Sequence, residues 1–320
     1  MMASIVDFAN CELNGDEDFD LKLFAITGES RCWQLPELYR RSSGPAWVLK
    51  RQSSYVEPLA LDAAVEERLR GARTMTESSF VESLSRLFSQ VECENVRVML
   101  DVTCMPRVDM AWVVDALVSE ATYCGKELDL VIGYVLAQYS EPPTELAANE
   151  SIKPVLDRFA GWPDDATGAT SLIVGLGYEP GKASGACEFF DATEVWVFSP
   201  TSPLREYDDA ILSSNRAVIE RATRNGRYLT YPVDSPASVL SQLLILVGDQ
   251  LRRSNPVILP FGPKIFFALS LAVSVHFPAF GVWHMTGDRD LPDHDHLPSD
   301  KNIGLRIRFA AVGEGAQLKT

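Results

Sequence analysis

The amino-acid sequence predicts an α/β fold, in which helices cover both faces of a mostly parallel sheet. Short apolar runs alternate with longer segments of helical periodicity along nearly the whole chain. Short runs such as Val257–Leu259 are apolar throughout, which is typical of strands that are buried on both faces. Turns that contain Pro or Gly separate these runs from the helices that follow. Together these features predict a Rossmann-like, mostly parallel, doubly wound sheet in two βα halves.

The clearest strand–helix–strand unit lies in the last quarter of the chain. Val257–Leu259 ends at the turn Pro260–Lys264, the apolar run Ile265–Val275 has the length of a buried helix, and Phe280–Met285 is the next strand. Lys264 stands where the helix begins, and its charge opposes the positive end of the helix dipole. We therefore predict that Lys264 binds an anion, with a solvated lysine as the alternative.

The remaining elements repeat this alternation. The other predicted strands are Leu21–Thr27, Ala46–Leu49, Val96–Leu100, Leu128–Tyr134, Ser171–Val174, Val195–Phe198, Tyr228–Tyr231 and Gly304–Ala311. The other predicted helices are residues 58–90 with a break near Gly71, Met110–Cys124, a short piece at Pro154–Phe159, Ala183–Phe190, Pro203–Thr223 and Pro236–Arg253. Asp234 and Ser235 precede Pro236, which is a helix-start signal, and Asn225-Gly226 is a helix-end signal. The last strand alternates, so we place it at a sheet edge.

Composition divides the chain near its middle, where residues 138–170 are rich in Pro, Glu, Ala and Asp. We predict an N-terminal α/β half at 1–145, a linker or lid at 146–168, and a C-terminal α/β half at 169–320. No clean internal repeat appears. However, Asp101–Val114 and Pro260–Ser274 share one layout, in which a strand, a proline and a basic residue precede an apolar helix.

Charge and length exclude several functional classes. The chain has 320 residues, and 46% of them are hydrophobic, which excludes a disordered protein. Its formal net charge of −15 makes long nucleic acid and anionic membrane unfavourable partners. The longest apolar run is shorter than the roughly 20 residues that cross a bilayer. The acidic N-terminal segment indicates no signal peptide, and six dispersed cysteines without a C-x-x-C pair indicate a reducing compartment. We therefore expect a cytoplasmic protein.

Three predicted strand-end turns each finish in one basic residue: Arg107, Lys182 and Lys264. Because helix N-termini offer N–H groups and a positive dipole end, we predict that these residues, with Gly262 in the third turn, bind phosphate or carboxylate. The alternative is that each cation pairs with a nearby carboxylate, such as Asp109 or Glu179. The turn Gly175–Lys182 misses both the dinucleotide fingerprint and the P-loop by one residue, so NAD and P-loop ATPase chemistry are disfavoured and we predict no cofactor.

Two carboxylates are the predicted catalytic groups. Asp101 and Thr103 lie where a strand ends, so Asp101 is a candidate acid/base or ribose acceptor and Thr103 a candidate phosphate donor. An Asp101 that caps the next turn is an equal alternative. Glu179 beside Lys182 is the second acid/base candidate, and its alternative is a solvated turn residue.

A histidine- and aspartate-rich segment, residues 284–296, contains residue types that bind zinc, manganese or iron. Metal ligands usually come from rigid elements, whereas this segment has the composition of a Pro/Asp loop. We therefore predict a solvated loop and no metal site, with metal binding as the alternative.

The segment Asp101-Val-Thr-Cys-Met-Pro-Arg107 resembles the D-x-T-x-G-x-[KR] turn of CARF domains, Rossmann-like modules that sense cyclic oligonucleotides in prokaryotic immunity. The turn Pro260-Phe-Gly-Pro-Lys264 is similar in layout. The resemblance covers about a dozen residues at each turn. It implies that Thr103 and Arg107 contact ligand phosphate and that the chain is a sensor, and some members of the family also cleave their ligand. Here Cys104, Met105 and Pro106 replace the glycine-containing part of the family turn.

The sequence leaves three functions open. The favoured one is a cytosolic protein that binds a nucleotide or other phosphorylated small molecule at the strand ends, as a sensor or regulatory subunit. The second is a hydrolase of a phosphate-ester or N-glycosidic bond in the same cleft, with Asp101 or Glu179 as acid or base. The third is a non-catalytic subunit whose acidic surface binds a partner protein. A protein partner and a homodimer both stay open.

Overall fold

The structure is a computed structural model that describes residues 2–49, 58–69, 71–141, 151–161, 168–286 and 295–313. The chain divides into two units, Met1–Ala137 with Asp293–Thr320 and Gln138–Pro292. Each unit is built on its own sheet with helices between its parallel strands, which confirms the predicted α/β class. In the described part of the chain, none of the helices has both the length and the apolar character that crossing a membrane requires.

The strands are β1 (Met2–Cys11), β2 (Leu21–Phe24), β3 (Ala46–Leu49), β4 (Arg73–Met75), β5 (Asn95–Asp101), β6 (Glu127–Ala137), β7 (Ser151–Pro154), β8 (Thr170–Gly175), β9 (Glu194–Thr201), β10 (Tyr228–Pro232), β11 (Asn255–Pro260), β12 (Gly281–Thr286) and β13 (Pro298–Val312). The helices are α1 (Gln34–Leu38), α2 (Pro58–Arg68), α3 (Glu77–Gln90), α4 (Arg107–Tyr123), α5 (Lys182–Phe190), α6 (Arg205–Ser214), α7 (Arg216–Arg224), α8 (Pro236–Gln250) and α9 (Lys264–His276). Short 3-10 helices span Ser30–Trp33 and Asp157–Phe159.

The first unit has a seven-stranded sheet in the order β1-β13-β6-β5-β2-β3-β4. Strands β2 to β6 are parallel to their neighbours, and β13 runs antiparallel to both β6 and β1. The chain proceeds outward from β2 to β4, and then returns to the other side of β2 for β5 and β6. The topological switch point, where ligands bind in open α/β sheets, therefore lies between the carboxyl ends of β2 and β5.

The second unit follows the same path in a six-stranded sheet of order β10-β9-β8-β11-β12-β7. Strands β8 to β12 are parallel to their neighbours, and β7 runs antiparallel to β12. Here the switch point lies between β8 and β11. The helix α9 after β11 is apolar on all sides and buried from Ile265 to Val275, as the sequence predicted.

The two units are therefore topological repeats of each other, a relation that the sequence did not reveal. In each sheet, five parallel strands have the same order, and a sixth strand pairs antiparallel with the last of them. This sixth strand is β13 beside β6 in the first unit and β7 beside β12 in the second. Along the chain, β7 follows β6 and β13 follows β12, so each sixth strand comes directly after the last parallel strand of the other unit. The shared layout of Asp101–Val114 and Pro260–Ser274 belongs to equivalent segments, β5–α4 and β11–α9.

This exchange of strands corrects the predicted domain boundaries. The last strand of the half predicted at 169–320, β13, belongs to the first unit. It lies between β1 and β6 rather than at a sheet edge. Of the linker predicted at 146–168, residues 146–150 and 162–167 lie outside the described residues. Residues 151–154 form β7, and only Asp157–Phe159 is helical in the piece predicted at Pro154–Phe159.

Each predicted strand overlaps an observed one, but β1, β4 and β7 were not predicted. β4 and β7 are only three and four residues long, which is too short to show a period. The long helix predicted at Pro203–Thr223 is two helices, which meet at Asn215. The side-chain amide of Asn215 donates to the carbonyl oxygens of Ile211 (2.9 Å) and Gly177 (2.8 Å), so this break is tied to the turn after β8.

Candidate functional site

The candidate site is the switch point of the second unit, where two turns leave neighbouring parallel strands. β8 and β11 pair in register, with Gly175 opposite Pro260. The β8–α5 turn spans Leu176–Gly181, and the β11–α9 turn spans Phe261–Pro263. Each turn leads into a helix that begins with a lysine.

The two turns are packed against each other without room for a side chain at Gly177 or Gly262. A Cβ atom on Gly262 would lie 2.7 Å from the carbonyl oxygen of Leu176, and one on Gly177 would lie 2.9 Å from that of Phe261. Real Cβ atoms do not approach backbone oxygens so closely. Gly262, which we predicted as a ligand contact, is buried, so its role in the structure is to allow this close approach.

Two lysines flank this junction. Lys182 is the first residue of α5, and its Nζ lies 3.7 Å from Oε1 of Glu179; the two side chains are 14% and 26% exposed. Lys264 is the first residue of α9 and is half-buried. The predicted alternative, pairing of Lys182 with Glu179, is therefore observed. At 3.7 Å this is an ion pair rather than a hydrogen bond, and Glu179 is held beside the lysine rather than solvated alone.

Both helices begin without a side-chain cap. The N-cap residues are Gly181 for α5 and Pro263 for α9, and neither has a side-chain oxygen that could accept from the first-turn N–H groups. The N–H groups of the first turn carry the positive end of the helix dipole, and in α9 the N–H of Phe266 donates to the carbonyl oxygen of Pro263 at 2.9 Å. The site therefore combines two lysines with two helix N-termini at one sheet edge, an arrangement that favours an anion.

A tyrosine cluster lies at the same end of the second unit. The ring of Tyr207, on α6, lies 5.8 Å from that of Tyr178, in the β8–α5 turn, and 5.1 Å from that of Tyr139. The Tyr207 hydroxyl donates to the carbonyl oxygen of Gln138 at 3.0 Å. All three tyrosines are half-buried. Sequence reasoning missed this cluster because its members are far apart in the chain and no spacing connects them.

The equivalent switch point of the first unit is closed by its own side chains, which corrects two predicted site residues. Asp101 ends β5 and is 2% exposed, and its Oδ1 accepts from the N–H of Thr103 at 2.9 Å. Thr103 is fully buried, and its Oγ1 accepts from the N–H of Val135 at 3.0 Å. Neither side chain is exposed to a ligand. The loop after β5 uses both to fix its own path and the end of β6.

The turn after β2 is also filled by side chains of the first unit. Arg31 is buried, and its guanidinium donates to Glu29 at 2.7 Å and to the carbonyl oxygen of Val135 at 3.3 Å. The carboxylate of Asp295 accepts from the N–H (2.6 Å) and hydroxyl (2.5 Å) of Ser30. A side-chain hydrogen bond with Cys104, together with burial, raises the pKa of Cys32 behind this turn. Sequence reasoning did not single out Arg31, although it follows Glu29 by two residues much as Lys182 follows Glu179 by three.

The three predicted cations do not form one constellation within a unit. Lys182 and Lys264 directly follow the two contacting turns of the second unit. Arg107 is half-buried at the first residue of α4 in the first unit, after Pro106 as N-cap, which is the position that Lys264 has after Pro263. Arg107 is therefore a topological counterpart of Lys264.

The predicted solvated loop at residues 284–296 is described only at its ends. His284 lies in β12 opposite Lys153, and Asp295 binds Ser30. Residues 287–294 lie outside the described residues. Within the ranges that the structure describes, no three His, Cys, Asp or Glu side chains are grouped so as to hold a metal ion.

A cavity of about 450 Å³ lies elsewhere in the second unit, where α5 and α7 end and β9 begins. Its lining residues include Cys187, Arg221 and Arg227. Burial raises the pKa of the Cys187 thiol, and Arg227 pairs with Glu194 at 3.0 Å. This cavity is at the amino ends of the strands. We place the candidate site at the carboxyl ends, because helix N-termini and the switch point occur there.

Comparison with known proteins adds little to this geometry. No family model matches the sequence, and no curated protein matches it. One similar solved structure is the crystal structure of the cytoplasmic domain of a prokaryotic cation chloride cotransporter, with 10% sequence identity. The match covers 84% of this chain and 95% of that chain with a TM-score of 0.25. A TM-score of this size does not establish a common fold.

Proposed function

We propose that this chain binds a nucleotide or other phosphorylated small molecule at the switch point of its second unit. The observation that carries the proposal is the contact between the two lysine-bearing turns at the carboxyl ends of β8 and β11. Parallel α/β sheets bind ligands at this position, and helix N-termini there favour phosphate. In a chain of net charge −15, this sheet edge carries two lysines and one carboxylate, Glu179, and the three side chains together have a charge of +1.

Binding is favoured over hydrolysis by the surroundings of the two candidate acids. Asp101 is buried in the other unit and accepts a backbone hydrogen bond, so it is not available to a ligand at β8 and β11. Glu179 is within reach, but its carboxylate faces the ammonium group of Lys182 at 3.7 Å, so it already has an ion-pair partner. A sensor or regulatory role therefore fits this site better than catalysis.

The CARF resemblance extends the proposal to sensing of a nucleotide signal in prokaryotic defence. Its support is that the two segments that carry the resemblance lie at equivalent positions of the duplicated topology. Each places a proline as N-cap and a basic residue first in the helix, and the backbone angles of Pro106 and Pro263 agree within about 5°.

The test is a thermal-unfolding and calorimetric screen of the full chain against inorganic phosphate, nucleotides, cyclic oligonucleotides and sugar phosphates. A ligand at about 100 times its Kd adds roughly 2.7 kcal/mol, which corresponds to roughly 5–10 °C for a unit of this size. Lys264→Ala should weaken binding by roughly 10- to 150-fold, because a charge-assisted contact contributes about 1.5–3 kcal/mol.

Arg221→Ala is the matched control, since it removes the same charge from the second unit but lies at the cavity on the amino side of the sheet. It should leave the affinity unchanged within about twofold. Binding that Arg221→Ala abolishes and Lys264→Ala spares would assign the ligand to the cavity instead. The absence of a shift with every phosphate compound would refute the proposal and favour the protein-interaction alternative.

A further inference from the structure

The tyrosine cluster beside the lysines gives the second unit a feature that phosphate binding alone does not require. Tyr178 belongs to the same turn as Glu179, whose carboxylate faces Lys182. Tyr207 follows β9, the neighbour of β8, so its ring reaches the turn from the adjacent strand end. Aromatic rings and lysine charge thus converge on one edge of one sheet.

The cluster differs from the aromatic packing inside this unit. Tyr231 and Phe266 stack with ring centroids 4.7 Å apart, and both are fully buried in the core. By contrast, Tyr139, Tyr178 and Tyr207 are only half-buried, although the ring of Tyr207 contacts each of the other two and Tyr178 also packs against the edge of the core. The hydrogen bond from the Tyr207 hydroxyl to Gln138 fixes the orientation of the central ring. Partly exposed rings of fixed orientation are suited to stacking against a flat, aromatic ligand.

We propose that the ligand carries a nucleobase, which stacks on the ring of Tyr178 while its phosphate is bound by Lys182 and Lys264. This inference rests on the proposed function and narrows it from phosphorylated small molecules in general to nucleotides. Stacking on aromatic side chains is tolerant of base identity, because every base has a π-face. Stacking at this site therefore raises the affinity for any ligand that carries a base, and the preference for one base over another depends on other contacts.

The experiment compares adenosine 5′-monophosphate with ribose 5-phosphate by calorimetry on the full chain. The two probes share the phosphate and the sugar, so their affinity ratio isolates the base. The wild-type chain should bind the nucleotide roughly 5- to 150-fold more tightly, which is the effect of one base–aromatic contact. Uridine 5′-monophosphate should show a preference of the same kind.

Three variants separate stacking from structure. Tyr178→Ala should remove the preference for the nucleotide and leave the affinity for ribose 5-phosphate within about twofold. Tyr178→Phe, which keeps the ring, should retain the preference. Lys264→Ala should weaken both probes by the same factor.

The failure of this inference and the failure of the proposed function give different results. Equal affinities of the wild-type chain for both probes would overturn the stacking inference and leave the phosphate site standing. An equal loss of both probes in Tyr178→Ala would assign the tyrosine a purely structural role and also overturn stacking. If neither probe nor any other phosphate compound bound the wild-type chain, the proposed function itself would fail.

Discussion

The packing of the two turns predicts that Gly262→Ala damages both stability and binding. The new Cβ would lie 2.7 Å from the carbonyl oxygen of Leu176 and 3.2 Å from the hydroxyl of Tyr231. The first neighbour is the backbone of the residue that follows β8, and its N–H donates to the carbonyl oxygen of Phe198 at 2.8 Å, so the β11–α9 turn must move away by several tenths of an ångström. Overpacking of a well-packed site costs about 1–3 kcal/mol. The movement would also displace Lys264 from its position beside the β8–α5 turn.

Gly185→Ala is the matched control for this variant. Gly185 lies inside α5, and in the part of the chain that the structure describes a Cβ built on it meets no atom within 4 Å apart from its chain neighbours and the backbone of its own helix. The same chemical change should therefore stabilise the second unit by about 0.5–1 kcal/mol, because alanine is the better helix former. The two glycine-to-alanine variants thus have opposite predicted signs. Urea denaturation of both, followed by tryptophan fluorescence and circular dichroism, measures the two changes in the free energy of unfolding.

The binding measurement completes this test. We expect Gly262→Ala to weaken phosphate-ligand binding at a temperature where the variant is fully folded, and Gly185→Ala to leave it unchanged. A Gly262→Ala chain as stable as the wild type, with unchanged affinity, would refute the contact between the turns and the site built on it.

Two further predictions concern the first unit. Asp101→Ala should lower the free energy of unfolding by about 1–2 kcal/mol, because it removes the acceptor for the N–H of Thr103. Asp101→Asn keeps an acceptor oxygen and should lower it less. Loss of ligand binding in Asp101→Asn, measured by calorimetry, would contradict the assignment of the site to the second unit. Burial raises the pKa of Tyr39 to about 12 from an ordinary value of 10, so its contribution to stability is complete below pH 10 and is lost as the pH rises toward 12. Urea unfolding at pH 9 and pH 11 should therefore show a smaller loss of stability in Tyr39→Phe than in the wild type, and equal losses would contradict it.

The α/β class could be predicted from sequence because its signal is local. Runs such as Val257–Leu259 and Ile265–Val275 carry their burial in their own composition, and Pro and Gly mark the turns between them. Which of the two sheets contains β13 could not be predicted in this way. Its alternating pattern indicates one buried face, but whether that face packs in the first or the second unit depends on pairing with β6, some 170 residues earlier in the chain.

The candidate site was predicted in part, for a comparable reason. Lys182 and Lys264 were identified because a cation at a helix start is anomalous within its own segment. Asp101 and Thr103 occupy an equally suggestive strand end, yet their burial depends on Val135, which lies on another strand. The tyrosine cluster has no local signal at all. Residue type and strand position therefore identify candidates, and only the fold decides which candidates face a ligand.

Comparison of the two switch points explains why we assign ligand binding to the second unit. Both turns that follow the first parallel strand pair a glutamate with a nearby cation, but the two pairs differ in strength. Arg31 is buried, makes a 2.7 Å hydrogen bond to Glu29 and also donates to Val135, so the removal of either partner would leave a buried charge.

Lys182 lies 3.7 Å from a glutamate that is one-quarter exposed, and pairs of this kind contribute at most about 1 kcal/mol. Replacement of Glu179 by a ligand phosphate would therefore cost little at the second switch point, whereas displacement of Glu29 at the first would cost several times as much. The duplicated fold thus keeps one cation fixed as part of the structure and leaves its counterpart able to exchange its partner.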